Sequence, residues 1–102
     1  MISVYPVHIE NGVFTATQVR LPDTNLLIVS NEKAYIMCAA LDVSILNTAL
    51  KERNVIAGRA RGVKTIEELL NAPLEQVTDA SHKQFGWQTG LTGKEALLKT
   101  VE

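Results

Sequence analysis

The stretch from Ala34 to Asn54 constrains the fold most strongly, because its hydrophobic pattern changes period halfway along. Residues 34–41 are almost wholly apolar, which is typical of a strand buried on both faces. From Asp42 onward the apolar residues Val43, Leu46 and Leu50 recur at helical spacing. A carboxylate at Asp42 can cap the first free amides of a helix. The stretch therefore predicts a central buried strand followed by an amphipathic helix over 42–53.

Length and composition indicate a single domain over residues 1–102 of an ordinary globular protein. The chain has 102 residues, of which 46% are hydrophobic and 21% are charged. The longest apolar run is too short to cross a bilayer, and a net charge of −1 argues against a dedicated nucleic-acid binder. The single cysteine excludes an internal disulfide and fits a reducing cytoplasm. We therefore expect a cytoplasmic protein with neither membrane nor nucleic acid as a partner.

A β-hairpin is predicted at the N-terminus, over residues 1–21. Residues 3–9 and 13–21 alternate as strands, and Glu10-Asn11-Gly12 supplies the turn between them. Pro6 cannot donate to a ladder, which places the first strand at a sheet edge or beside a bulge. Both faces of the second strand mix apolar and polar residues. This pattern predicts that another subunit covers part of the outer face.

The remaining elements are short and are marked by turn and capping residues. Asn25–Val29 and Val55–Val63 read as strands, and Thr65 opens a capping box with Glu68. We expect a helix within 74–85 that closes at Gly86, and a last helix from a second capping box at Thr92 to about Val101. The fold class is therefore α+β, a single domain with a mixed sheet, an N-terminal hairpin and three to four short helices. The predicted core consists of Leu27, Val29, Ile36, Met37, Leu46, Leu50, Leu69 and Leu97.

Three stretches of the chain resemble the YunC-like family, a bacterial and archaeal domain of unknown function. They are YIMCAALDV, then LKERNVIAGRARGVKTIEELLNAPLEQVT, and finally GLTGKEALL, so that the resemblance covers nearly the whole chain. It implies a small α+β domain whose N-terminal strands associate with other subunits as a tetramer. It implies no activity, no cofactor and no catalytic residue.

Cys38 is the weak catalytic candidate among the residues that carry chemistry. It precedes a predicted helix start, where a thiolate could be stabilised, yet neither His8 nor His82 can be placed beside it from sequence. The alternative is a small buried hydrophobe in a central strand, which is the commoner role of a lone cysteine. Histidine, cysteine and acidic residues show no short ligand spacing, so no metal site is expected.

Arg59 and Arg61 form a stronger candidate site, for a small anionic ligand. They are two residues apart on a predicted strand, directly before the helix start at Thr65. Guanidinium groups beside a helix N-terminus suit phosphate or carboxylate. The strands that would flank this ligand are rich in small residues, namely Cys38, Ala39, Ala40, Ala57, Gly58, Ala60 and Gly62. Spacing alone allows a recess or close helix packing between those strands, and the charges of Arg59 and Arg61, which would be costly against a dry helix, favour the recess. A subunit interface, or internal acids such as Glu67 and Glu68, could also satisfy the arginines.

The sequence thus leaves two functional classes open. The preferred one is a small oligomeric binding or assembly module with an anionic ligand near Arg59 and Arg61. The alternative is a small enzyme that uses Cys38 as a reactive thiol.

Overall fold

A computed structural model describes residues 2–10, 12–20, 22, 25–38 and 56–101. The helix predicted over 42–53, with its core residues Leu46 and Leu50, lies outside the described residues. Cys38 and Ile56, the described residues nearest to residues 39–55, are both buried.

Six strands form one mixed sheet in the order of the chain. They are β1 (Ile2–Ile9), β2 (Gly12–Arg20), β3 (Asn25–Ser30), β4 (Tyr35–Cys38), β5 (Ala57–Ala60) and β6 (Gln76–Val77). Every neighbouring pair is antiparallel except β4 and β5, which run parallel. The described helices are α1 (Ile66–Asn71), α2 (Asp79–Phe85) and α3 (Gly93–Lys99). The prediction of a single α+β domain with a mixed sheet is confirmed.

The N-terminal hairpin forms as predicted, but its turn lies one residue earlier than the Asn-Gly signal suggests. Gly12 is the first residue of β2 and pairs with Ile9, and Glu10, which follows β1, has a positive φ of 50°. The ring of Phe14 explains the glycine, because a Cβ at position 12 would lie 2.8 Å from Phe14 Cε2. β1 is an edge strand of the described sheet, as the exposed Pro6 predicts.

The two predicted capping boxes begin helices where expected. At α1 the Thr65 hydroxyl accepts a hydrogen bond from Glu68 N at 3.0 Å. At α3 the Thr92 hydroxyl accepts from Glu95 N, and Thr92 N donates back to Glu95 Oε1 at 3.2 Å. The hydrogen bonds from Thr92 hold the pKa of Glu95 below its ordinary value, with a smaller contribution from Lys99. Local sequence therefore fixes both helix starts.

The segment from 74 to 85 differs from the prediction of one helix. Gln76 and Val77 form β6 against β5, and α2 begins only at Asp79, after Thr78. The Thr78 hydroxyl accepts from Ser81 N at 3.3 Å, which caps the helix, and Thr78 N donates to Ala57 O at 2.9 Å, which extends the sheet contact. Backbone pairing with β5 therefore takes residues that were predicted to be helical. The predicted closure at Gly86 is confirmed by its left-handed φ of 71°.

The main core lies between one face of the sheet and the helices α1 and α3. Buried predicted core residues are Leu27, Val29, Ile36, Met37, Leu69 and Leu97, and the fully buried Trp87 and Leu74 join them. Met37 lies apart from the rest, in a small cluster with Ala57 on the opposite face of the sheet. We call the face covered by α1 and α3 the helix face, and the opposite one the outer face.

Gly93, the first residue of α3, lies at the closest approach between helix and sheet. A Cβ at this position would stand 2.5 Å from Ile36 Cδ1 and 2.6 Å from the backbone oxygen of Leu69. Both distances are far inside van der Waals contact, and the Leu69 oxygen belongs to the backbone of α1. Only a glycine therefore fits here without displacing α3 from α1 and β4.

We expect the substitution Gly93→Ala to destabilise the domain, although alanine favours a helix by about 1 kcal/mol over glycine. Overpacking against backbone atoms should outweigh that preference and lower the free energy of unfolding by about 1–3 kcal/mol. The free energy of unfolding is measured by urea denaturation, with the fluorescence of Trp87 as the signal. Lys94→Ala, at the exposed next position, should leave the midpoint unchanged. A Gly93→Ala protein at least as stable as the parent would refute the close packing.

Candidate functional site

The two candidate arginines share one acidic partner. Arg59 lies on β5 and Arg61 just beyond its end, and the Nε atoms of both stand 2.9 Å from Glu75, each from a different carboxylate oxygen. Glu75 is delivered by β6, since its neighbour Gln76 pairs with Arg59 and Glu75 N donates to Arg59 O at 2.9 Å. The Arg59 side chain is 18% exposed and that of Arg61 is 72% exposed. One carboxylate therefore bridges a half-buried and an exposed guanidinium.

This geometry identifies the internal acid that sequence reasoning missed. Glu67 and Glu68 were the expected partners, but the Glu68 carboxylate accepts from Lys64 N at 2.7 Å instead. The Thr65 hydroxyl is engaged at the start of α1, where it accepts from Glu68 N. Glu75 was not recognisable because its approach depends on β6, a strand of only two residues. An anion at the arginines stays a prediction, and it would have to share them with Glu75.

We expect the two arginines to differ in their contributions to stability. Arg59→Ala leaves Glu75 half-buried without its sheltered partner and should cost about 1–3 kcal/mol of unfolding free energy. Arg61→Ala removes a solvent-screened pair and should cost less than about 1 kcal/mol. Urea denaturation of the two variants gives the comparison. If both variants lose the same unfolding free energy, the burial of Arg59 adds nothing to the strength of its ion pair with Glu75.

Close packing, not a recess, occupies the helix face where β4 meets β5. A Cβ on Gly58 would lie 3.0 Å from Leu74 Cδ1, and Cys38 and Ala60 are buried in the main core. The parallel neighbours β4 and β5 confirm that the two strands rich in small residues are adjacent. The absence of a side chain at Gly58 admits Leu74 to this point of the helix face.

Cys38 is buried, with 4% of its surface exposed, at the end of β4. Its Sγ lies 3.5 Å from Asn25 O, and because a carbonyl oxygen only accepts, this contact requires the protonated thiol as donor. His8 and His82 are placed on β1 and on α2, and neither contacts the sulfur in the described part of the chain. These contacts favour the interpretation of a small buried core residue.

We expect Cys38 in the folded protein to react slowly with an alkylating reagent. Burial of the sulfur should make labelling at neutral pH depend on opening of the fold, so the rate should rise steeply with urea below the unfolding midpoint. The labelling rate is measured by mass spectrometry of quenched samples, with free glutathione as the reference thiol. Labelling as fast as glutathione in the absence of denaturant would support the enzyme alternative.

The hairpin carries an exposed apolar surface on the outer face of the sheet. According to the strand register, the following residues have their side chains on that face: Ile2, Val4, Pro6, His8, Val13, Thr15, Thr17 and Val19. We call these residues the hairpin face. Ile2, Val4 and Val13 are 69%, 63% and 60% exposed. On the other side of the same hairpin, Phe14 and Ala16 are fully buried. The mixed pattern of β2 thus resolves into a core side and an exposed side.

No group of three or more metal-ligating side chains occurs among the described residues. No helix in the described ranges has the length and apolar character needed to cross a membrane.

The fold and these surfaces define a small α+β domain with one mixed sheet and helices packed on one of its faces. The domain of unknown function DUF1805 matches residues 37–100. The chain is 52% identical to the uncharacterised protein YunC of Bacillus subtilis over 102 residues, which is the full length of both. It belongs to this YunC-like family, as its sequence motifs predict.

A solved structure shares the fold. The crystal structure of a protein of unknown function from Thermoplasma acidophilum matches with a TM-score of 0.85 and 25% identity. The match covers 97% of this chain and 92% of the other. This chain and the Thermoplasma acidophilum protein therefore share the α+β fold.

Proposed function

We propose that this domain is a homo-oligomeric assembly and binding module that associates through the hairpin face. The observation that supports the proposal is that Ile2, Val4 and Val13, each more than half exposed, lie on one side of the hairpin. Large apolar side chains that are exposed together mark interaction surfaces. Burying them against a partner would recover about 25 cal/mol for each Å² of apolar surface removed from water.

A second copy of this chain suits the hairpin face because the face carries no Asp, Glu, Lys or Arg. In a two-fold dimer each surface patch meets itself, so every charged residue near the axis approaches its own copy. A patch without such residues avoids that repulsion. Sheet faces of this kind pack about 10 Å apart with interdigitating side chains.

One self-complementary patch closes at a dimer, so the tetramer implied by the family resemblance needs a second contact surface. Arg61 is a candidate for that second surface, because its side chain is exposed and its pair with Glu75 leaves the cluster of two arginines and one glutamate with a net positive charge. The same charge would attract a small anion, which keeps the predicted ligand near Arg59, Arg61 and Thr65 as a secondary proposal. The enzyme alternative depends on Cys38 and has the alkylation experiment as its test.

Placing a charge in the hairpin face should dissociate the assembly. We expect Val4→Lys to weaken self-association by more than about 100-fold, because the ammonium would be buried against apolar side chains without a partner. Sedimentation velocity over a range of micromolar concentrations measures the change. Circular dichroism and urea denaturation check that the variant stays folded.

Tyr5→Lys is the matched control for this experiment. Tyr5 neighbours Val4 on β1 and is 41% exposed, but it points to the opposite side of the strand. Its substitution should leave the oligomer intact. Deleting the hairpin is a poorer test, since Phe14 and Ala16 belong to the main core. A parent protein that is monomeric at micromolar concentration, or a Val4→Lys oligomer of unchanged size, would exclude assembly through this face.

A further inference from the structure

His8 is the one ionisable side chain among the residues that define the hairpin face. It is exposed, on β1, one residue before the strand ends. Histidine is the side chain that ordinarily gains a positive charge as the pH falls from 8 to 5. The hairpin face therefore has two charge states, neutral and positive, in the range of pH that cells use.

The strand register sets the neighbours of His8. It pairs with Val13 across the hairpin, and Pro6 and Thr15 form the adjoining pair on the same face. Directly opposed side chains of an antiparallel pair have Cβ atoms about 4.5–5.5 Å apart. Two apolar side chains and one hydroxyl group therefore border the imidazole within the face. None of the three carries a negative charge to balance an imidazolium.

The charged groups around this part of the described chain lie at the margin of the face. Glu10 follows His8 by two residues, and Glu32 and Lys33 border a recess that Val13 also lines. Strand β2, which packs against β1, has Arg20 at its far end as its one charged residue. The two carboxylates favour an imidazolium in the separated subunit and the Lys33 ammonium opposes it. All four groups are on exposed residues, so water and salt screen them.

Assembly through the hairpin face would change this balance. Covering the face removes water from the imidazole, and burial disfavours the charged form of a histidine. In a two-fold dimer the patch meets itself, so the hairpin face of the second copy brings no carboxylate to the ring. Protonation of the imidazole and association of the subunits therefore oppose each other.

We propose that His8 makes self-association of this domain depend on pH, so that the assembly is stable at neutral pH and dissociates in mild acid. The inference rests on the proposed function, because it needs the hairpin face to be the contact between copies. The separated subunit binds more protons than the assembled one, so a fall in pH shifts the equilibrium towards separated subunits. The assembly is at full strength above the pH range in which histidine ordinarily titrates, and it weakens as the pH falls through that range.

Sedimentation velocity of the full chain at pH 7.5 and pH 5.5, at one ionic strength, measures the effect on the dissociation constant. A histidine of ordinary pKa, near 6.5, that is neutral in the dimer favours the separated state about tenfold at pH 5.5. Because each of the two subunits takes up one proton, the dissociation constant should rise by about 100-fold. Circular dichroism at both pH values checks that the subunits stay folded.

Three variants assign the effect to one ring. His8→Gln keeps a neutral polar side chain and should associate about equally at both pH values, whereas His8→Lys is charged at both and should be dissociated at both. His82→Gln is the matched control, because it removes the other histidine of the chain, on α2. The pH dependence of this control should equal that of the parent protein.

The outcomes distinguish the role of His8 from assembly itself. A parent protein that is monomeric at pH 7.5 contradicts both proposals. A parent that is oligomeric at pH 7.5 and equally so at pH 5.5 leaves assembly in place and overturns the role of His8, as does a His8→Gln protein that still dissociates in acid. Stronger association in acid also overturns it and would indicate that a carboxylate such as Glu10 pairs with the imidazolium within the contact.

Discussion

The packing of α3 against the sheet at Gly93 is the contact on which the helix face depends. The backbone of α3 lies so close to Ile36 and to the Leu69 carbonyl that no side chain fits between them. Gly93 N also donates to Ala72 O at 3.2 Å, and this bond ties the start of α3 to the residue that follows α1. Because the three elements meet at one glycine, the positions of α1, α3 and β4 are determined together. The main core then fills the space that they enclose.

The two faces of the sheet have different roles as a result. The helix face is filled by large apolar side chains, including the fully buried Trp87, and even the small residues of β5 are covered by Leu74. The outer face has the exposed hairpin face at one end of the strand order and the Arg59–Glu75 pair at the other. Ile2, Val4 and Val13 are therefore exposed on the side of the sheet opposite α1 and α3.

Local sequence signals predicted the elements better than the contacts between them. Thr65 and Thr92 marked two helix starts correctly, because a capping hydroxyl acts within three residues of its partner. The pairing of Arg59 with Glu75 was missed, since it depends on where β6 joins the sheet. A strand of two residues is too short to show a periodic pattern in the sequence.

The exposed edges of the described sheet bear on how far self-association can proceed. β1 carries Pro6, which offers no N–H to a further strand, and β6 at the opposite edge has only two residues. Neither edge is a good template for adding strands without limit, which is the way amyloid fibrils grow. A sheet face, in contrast, is fully used once a partner covers it. A chain with an exposed apolar sheet face and edge strands that pair weakly is thus suited to oligomers of limited size rather than to fibrils, even at the high protein concentrations of a cell.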